Sequence, residues 1–371
     1  MMYCRISLLL IVTCVSQACS SANKIVANPI PALNTKGDVY KTEGDNDQLI
    51  YGSAVGRKKC IMLYVDFAHA EMTIGTKERG QGVLGKGKFE QLFKEQSYGK
   101  LSFDIEHVHG WRRLSKSVRT YSSRTTDSHR ALFVEIFSLY PKVDFRKYDY
   151  IMANMPRIGN TAFGERSAIA IPYKGGKIKV ALNISSGSPN VLAHETAHLM
   201  GLPDLYTLGG VPGPKNPVGP WDIMSDATGA TGFLGWHRHK LNWLDADRKT
   251  YVSKKGTHKL QLTSLAAASG CSMIVVPVDD PASPSKVFVI EVAQSIRLKR
   301  DTYSKAEGVL IYSVDASIET GRNPVIVYPR TEIREAAFHA GDRFEHEESP
   351  MAVRVLERTE SGAYRLEIVV K

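Results

Sequence analysis

The chain has 371 residues, 43% of them hydrophobic and 23% charged, which describes an ordinary soluble globular protein with room for a catalytic domain and a smaller one. Its formal charge of +10 favours anionic surfaces, glycans or protein substrates, but Lys and Arg are spread along the chain and no nucleic-acid motif accompanies them, so a nucleic-acid partner is excluded. No segment after the N-terminal region is apolar enough to cross a bilayer, so stable membrane insertion is excluded too.

The chain opens with Arg5 and a short apolar run, Ser7 to Val15, followed by Ser16-Gln17-Ala18 with small residues at the −3 and −1 positions of a cleavage site; Ser20-Ser21-Ala22 is a second option. Residues 1–22 read as a secretory signal peptide and imply an extracellular product. Residues 23–57 are polar and mixed, with Pro29, Pro31, Gly37, Gly44 and Gly52, and read as a linker or a short propeptide. In the propeptide reading Asp38, Asp45 and Asp47 are the acidic side chains available to block a functional site.

From residue 58 to 250 the pattern alternates. Residues 60–67 form a nearly continuous apolar run, as a strand buried on both faces requires. Phe89, Leu92 and Phe93 have the i, i+3, i+4 spacing of an amphipathic helix. Leu101–Val108 predicts a strand, residues 128–140 a second helix, and Tyr148–Asn154 a buried strand. Ser167–Ile171 and Ile178–Ile184 predict short strands around a Gly175-Gly176 turn, and the alternation as a whole predicts an α/β sandwich. Asn183-Ile184-Ser185 is a glycosylation sequon, relevant to a eukaryotic source.

The most informative stretch is His194-Glu195-Thr196-Ala197-His198, followed by Gly201 and Asp204. Ser188 is placed to cap a helix and Pro189 suits its first position. On that helix two histidines four residues apart lie about 40° apart around the axis, so both imidazoles reach one ion. Glu195 sits beside that face, placed to take a proton from an activated water. Gly201 supplies the positive φ that ends the helix, and the turn brings Asp204 back towards the same ion. Two neutral nitrogens and one carboxylate, with a position left for water, is the layout of a catalytic zinc. Asp222, His237 and His239 are the alternatives to Asp204. His237 and His239, two residues apart, cannot face one ion from one helix and read as solvated positions.

After about residue 250 short strands separated by turns predict a β-rich sandwich over 251–371. Cys60 and Cys271 form an even pair once the N-terminal cysteines are removed. They read either as a disulfide or as two buried thiols.

His194 to Asp204 with Leu205-Tyr206, then Trp221-Asp222-Ile223-Met224-Ser225, resembles the immune inhibitor A-type zinc peptidases, a metzincin-like branch whose motif carries Asp where many metzincins carry a third His. Gln96 to Phe103, Val65-Asp66-Phe67, Gly235 to Leu244 and Gly308 to Tyr312 are similar to further segments of that family, so the resemblance covers roughly residues 58–315 and is densest over 190–245. It implies an α/β metzincin-like zinc peptidase domain followed by the β-rich domain, one catalytic Zn2+, protein or peptide substrates, and Met224 as the methionine of a tight turn beneath the metal. Tyr206 or His237 would assist the oxyanion, and Ile178–Ile184 would be the edge strand that pairs with substrate. Two other readings fit the same residues: a secreted binding protein with a silent zinc helix, against which the intact Glu195 argues, and a zinc hydrolase of a non-peptide amide.

Overall fold

A computed structural model describes residues 29–35, 42–44, 51–121, 126–156, 163–164, 169–180, 182–184, 188–208, 210–229, 232–293, 307–329 and 332–371. The first strand, β1 (Gly56–Phe67), is the apolar run read from the sequence. Two helices follow, α1 (Thr76–Leu84) and α2 (Lys88–Gln96), then β2 (Leu101–His107), β3 (Arg112–Leu114), α3 (Val118–Tyr121), α4 (Thr126–Ser138) and β4 (Tyr150–Asn154). The strands β5 (Phe163–Gly164), β6 (Ile169–Tyr173), β7 (Gly176–Val180) and β8 (Leu182–Ile184) lead into α5 (Pro189–Leu199), the helix of the histidine pair, and α6 (Gly235–Lys240) closes this part.

The sheet order is β2-β1-β4-β8-β5, with β3 also pairing β1. Its strands run parallel except β5, which is antiparallel to β8. Alternation along β1 explains its composition. Cys60, Met62 and Tyr64 enter the core that holds α1, α2 and α5, while Ile61, Leu63, Val65 and Phe67 enter the core under α3 and α4. A strand with helices on both faces has no wet side, so the apolar run is continuous.

Two expectations change here. The segment Ile178–Ile184 is not one strand: β7 pairs only with β6, across the turn at Gly175 with φ 77°, while β8 joins the main sheet. β8 is flanked by β4 and β5, so it is not an edge; among the described residues that edge is β5. The disulfide reading of Cys60 and Cys271 also fails. Both are free, buried thiols in different cores. Burial pushes both thiols up, Cys271 to about 11, and their sulfurs face the carbonyls of Lys58 and Met273 at 3.8 and 3.4 Å.

The remaining chain forms β9 (Lys249–Tyr251), β10 (Gly256–Leu262), β11 (Met273–Pro277), β12 (Lys286–Ala293), β13 (Gly308–Asp315), β14 (Val325–Val327), β15 (Arg343–Glu345), β16 (Met351–Arg358) and β17 (Tyr364–Val370). One sheet has the order β14-β13-β12-β11-β9 and the other β10-β17-β16-β15. They pack face to face as a sandwich through Phe288, Ile290, Ile311, Val353, Leu366 and Ile368. The opposite face of the first sheet, with Val287, Val289, Leu310 and Tyr312, packs into the same core as α5 and α6. The sandwich thus braces the back of the α/β layer. No helix among the described residues is long and apolar enough to cross a membrane.

The described parts of residues 29–57 are tied to the body rather than forming a free linker. The Asn34 N–H donates to the Pro284 carbonyl at 2.8 Å, Thr42 bridges to Glu319, the Gly52 N–H donates to the Leu199 carbonyl at 2.9 Å, and Trp243 Nε1 donates to the Ala54 carbonyl at 2.7 Å.

The start of α5 is pinned from the side. Gly85, after α1, has φ 61°, and a Cβ there would lie 2.2 Å from Cγ of Pro189. Gly85→Ala is therefore expected to destabilise the fold by about 1–3 kcal/mol. A urea midpoint equal to the parent's would refute that.

Candidate metal centre

The helix α5 starts at Ser188 and Pro189 as read from the sequence, although the Ser188 hydroxyl makes no capping bond. Pro189 fits because the first-turn N–H it lacks would have no helical partner. At the other end Gly201 has φ 97°, its N–H donates to the His198 carbonyl, and the Leu202 N–H donates to the Ala197 carbonyl. These two bonds make a Schellman stop and need a residue that tolerates positive φ. The chain reverses there and carries Asp204 back over the helix. The Asp204 backbone is held from the sandwich side, its N–H on Thr320 Oγ1 at 2.8 Å and its carbonyl on the Gly321 N–H at 3.1 Å.

The result is a convergence of three ligand atoms. Asp204 Oδ1 lies 3.2 Å from His194 Nε2 and 3.0 Å from His198 Nε2. Candidate ligand atoms of His194, Glu195 and His198 lie within 4.8 Å of one another, and all three residues are buried. Each imidazole is oriented by its other nitrogen: His194 Nδ1 donates to the Ile223 carbonyl at 2.9 Å and His198 Nδ1 to the Leu202 carbonyl at 2.7 Å. A ring that donates through Nδ1 presents the Nε2 lone pair in its neutral form, which is the form a metal takes.

Electrostatics makes the same demand. Burial works against the imidazolium of His194, but Asp204, Glu195 and the Ile223 carbonyl outweigh it and raise its pKa to about 9. Burial would raise Asp204, yet the two imidazoles hold its carboxyl well below the usual range. Asp204 Oδ1 is buried and accepts no well-formed hydrogen bond. The pocket therefore favours positive charge where these groups meet, carried by a proton on His194 in the metal-free chain and supplied by an ion where one takes that proton's place. A four-coordinate ion with 2.0–2.1 Å metal–nitrogen bonds has ligand–ligand edges of about 3.3 Å. The observed 3.0 and 3.2 Å fit that spacing, and the buried group of His194, Glu195 and His198 could hold a metal ion.

Met224 is fully buried in the core shared with α5. It lies in a tight turn whose backbone reaches one candidate ligand and the neighbour of another: the Ile223 carbonyl takes the His194 bond, and the Met224 carbonyl accepts the N–H of Leu205, next to Asp204, at 3.0 Å. Asp222 shapes this turn. Its Oδ1 accepts the Met224 N–H and its Oδ2 the Leu234 N–H, both at 2.7 Å.

The alternatives to Asp204 are engaged elsewhere. His237 is not solvated, as its sequence position suggested, but fully buried, with Nδ1 2.8 Å from Asp222 Oδ2 and Nε2 2.8 Å from Glu43 Oε1. This removes His237 from the oxyanion role as well. His239 is partly buried; burial and then Lys249, 2.9 Å from its Nδ1, lower its pKa to about 3. The Tyr206 ring stacks on that of His194, with centroids 6.2 Å apart at 19°. Asn183 lies within β8, opposite Met152 of β4. Asp38, Asp45 and Asp47, like residues 1–22, lie outside the described residues.

Glu43, which sequence reading did not single out, completes a buried quartet with His237, Asp222 and Lys240. Burial works against the His237 imidazolium, but Asp222 and Glu43 hold its pKa up to about 10 from an ordinary 6.5. Burial would raise Glu43, but His237 and Lys240 hold it down to about 2 from an ordinary 4.5. A raised histidine stabilises fully below its unfolded pKa and loses that as pH climbs through the folded one; a depressed carboxyl does so above its unfolded pKa and loses it as pH falls. The quartet therefore stabilises most between pH 4.5 and 6.5. Urea midpoints should fall as pH rises from 6.5 towards 10, and His237→Gln should flatten that fall. Parallel pH profiles for parent and variant would contradict the assignment.

No family model matches the chain, and no curated protein matches it. Among solved structures, OgpA from Akkermansia muciniphila is 10% identical, with 91% of this chain and 97% of that chain covered at a TM-score of 0.32. Catalytically inactive OgpA in complex with an O-glycopeptide (glycodrosocin) substrate is also 10% identical, covering 92% and 96% at 0.30. A chain from a chaperone–substrate complex is 15% identical over 42% of this chain and 25% of that one, at 0.24, so the present chain spans about a quarter of its length. Scores this low assign neither fold nor activity, and the functional reading stands on the geometry above.

Proposed function

We propose that the chain is a secreted zinc-dependent endopeptidase of the metzincin-like, immune inhibitor A type. One observation carries the reading: Asp204 Oδ1 lies within 3.2 Å of both His194 Nε2 and His198 Nε2, with Glu195 buried beside them. Two imidazoles and one carboxylate suit zinc over the harder oxygen-seeking cations. Held there, zinc would lower the pKa of a water and polarise a substrate carbonyl.

The chain's own residues do the rest. Glu195 accepts the proton that water gives up as it attacks the scissile carbonyl, and returns it to the departing amine nitrogen as the C–N bond breaks. The Ile223 and Leu202 carbonyls keep both rings in the ligand tautomer throughout. The antiparallel strand β5, the edge of this sheet among the described residues, packs against α5, so an extended peptide that adds to this edge runs alongside the catalytic helix.

The processed protein should cleave casein or a quenched peptide, lose that activity to a chelator and regain it with zinc. Failure to hydrolyse any substrate would favour a silent binding protein. Turnover of a small amide without peptide cleavage would favour the other hydrolase reading.

A further inference from the structure

The arm that precedes β1 reaches the back of the metal centre at one residue. Glu43 is buried to 1% exposure more than 150 positions before the histidine pair. Its Oε1 lies 2.8 Å from His237 Nε2, and its Oε2 accepts from Trp236 Nε1 at 3.2 Å and lies 3.4 Å from Lys240 Nζ. Lys240 Nζ also donates to the Thr42 carbonyl. On the other side His237 Nδ1 lies 2.8 Å from Asp222 Oδ2, an ion-pair contact without hydrogen-bond geometry, and the two oxygens of Asp222 hold the Met224 and Leu234 N–H groups. The turn fixed in this way supplies the carbonyls that orient His194 and anchor Leu205 beside Asp204. Polar contacts and the backbone of the turn thus connect the arm, through His237 and Asp222, to the ligand candidate His194 and to Leu205, the neighbour of Asp204.

We propose that Glu43 is a positioning residue of the metal centre: it locks His237 and Asp222, and through them the Ile223–Met224 turn that holds His194 and the Asp204 segment. The residues 42–44 are then part of the working enzyme and not a removable leader. Any processing cut that leaves the centre competent falls before Thr42, or leaves the cut arm docked. Partners that orient metal ligands typically change metal affinity 10- to 100-fold when removed. The inference rests on the metal-binding reading of His194, His198 and Asp204.

The test uses the full chain with zinc and with cobalt(II) as a spectroscopic probe. Glu43→Ala should weaken zinc binding about 10- to 100-fold in chelator competition and shift the visible cobalt bands. Asn34→Ala, which loosens the arm at Ser283 and leaves the quartet intact, should do neither. A folded Glu43→Ala chain with the parent's affinity and spectrum would overturn the proposal while leaving metal binding in place. A parent chain that takes up neither ion would overturn both. If Glu43→Ala does not fold, Glu43→Asp keeps the charge but withdraws the carboxylate by one methylene from His237, and parent-like affinity and bands in that folded variant overturn the proposal equally. So would an active secreted form that begins after Gly44, carries no arm and retains its zinc.

Discussion

Glu195→Ala should reduce peptide hydrolysis by about 100- to 10,000-fold, the range a positioned general base contributes. Zinc content should stay at the parent level, because in this account His194, His198 and Asp204 hold the ion and Glu195 does not. The fold should survive as well. Glu195 sits in the interior of α5, where alanine has the best helix propensity, and the substitution removes a buried charge rather than stranding one. Activity and metal content measured on the same preparation separate the outcomes. Retained turnover would take Glu195 out of the mechanism, and a parallel loss of zinc would make it a ligand.

Asp222→Ala should have the largest effect on stability, about 3–5 kcal/mol, the usual cost of removing one partner from a buried ion pair. The loss is greater than that of a surface bridge because Asp222 is fully buried, accepts from two backbone N–H groups and faces the His237 ring. His237 lies 2.8 Å away, and the Met224 and Leu234 N–H groups, each held at 2.7 Å, would be left without acceptors. Equilibrium denaturation of the metal-free protein gives the value. A cost below about 1 kcal/mol, as for an exposed pair, would show that the quartet does not organise the turn.

The part of this centre that was legible from sequence is the part that local geometry dictates. An i, i+4 histidine pair must share a helix face wherever it occurs, and Gly201 must stop the helix because its neighbours could not adopt φ 97° as readily. The continuous apolar run of β1 likewise announced a strand covered on both sides. What escaped depends on contacts between distant segments. Glu43 is one acid in a polar stretch, and nothing near it in the chain signals burial beneath α6. His237 looked solvated because spacing says only which residues share a helix face, not what covers that face; here Glu43 and Asp222 do. The run Ile178–Ile184 read as one strand because hydrophobic pattern does not record a change of partner sheet, and its two halves pair with β6 and β4. Cys60 and Cys271 were open to a disulfide on number and compartment alone, but they fill two different cores.

X-ray absorption at the zinc edge of the purified, zinc-loaded chain tests the central claim most directly. The account predicts one tightly held ion with two imidazole nitrogens and a carboxylate oxygen at about 2.0–2.2 Å, and loss of one imidazole contribution in His198→Ala. A chain that binds no zinc, or a coordination shell without histidine, would contradict it.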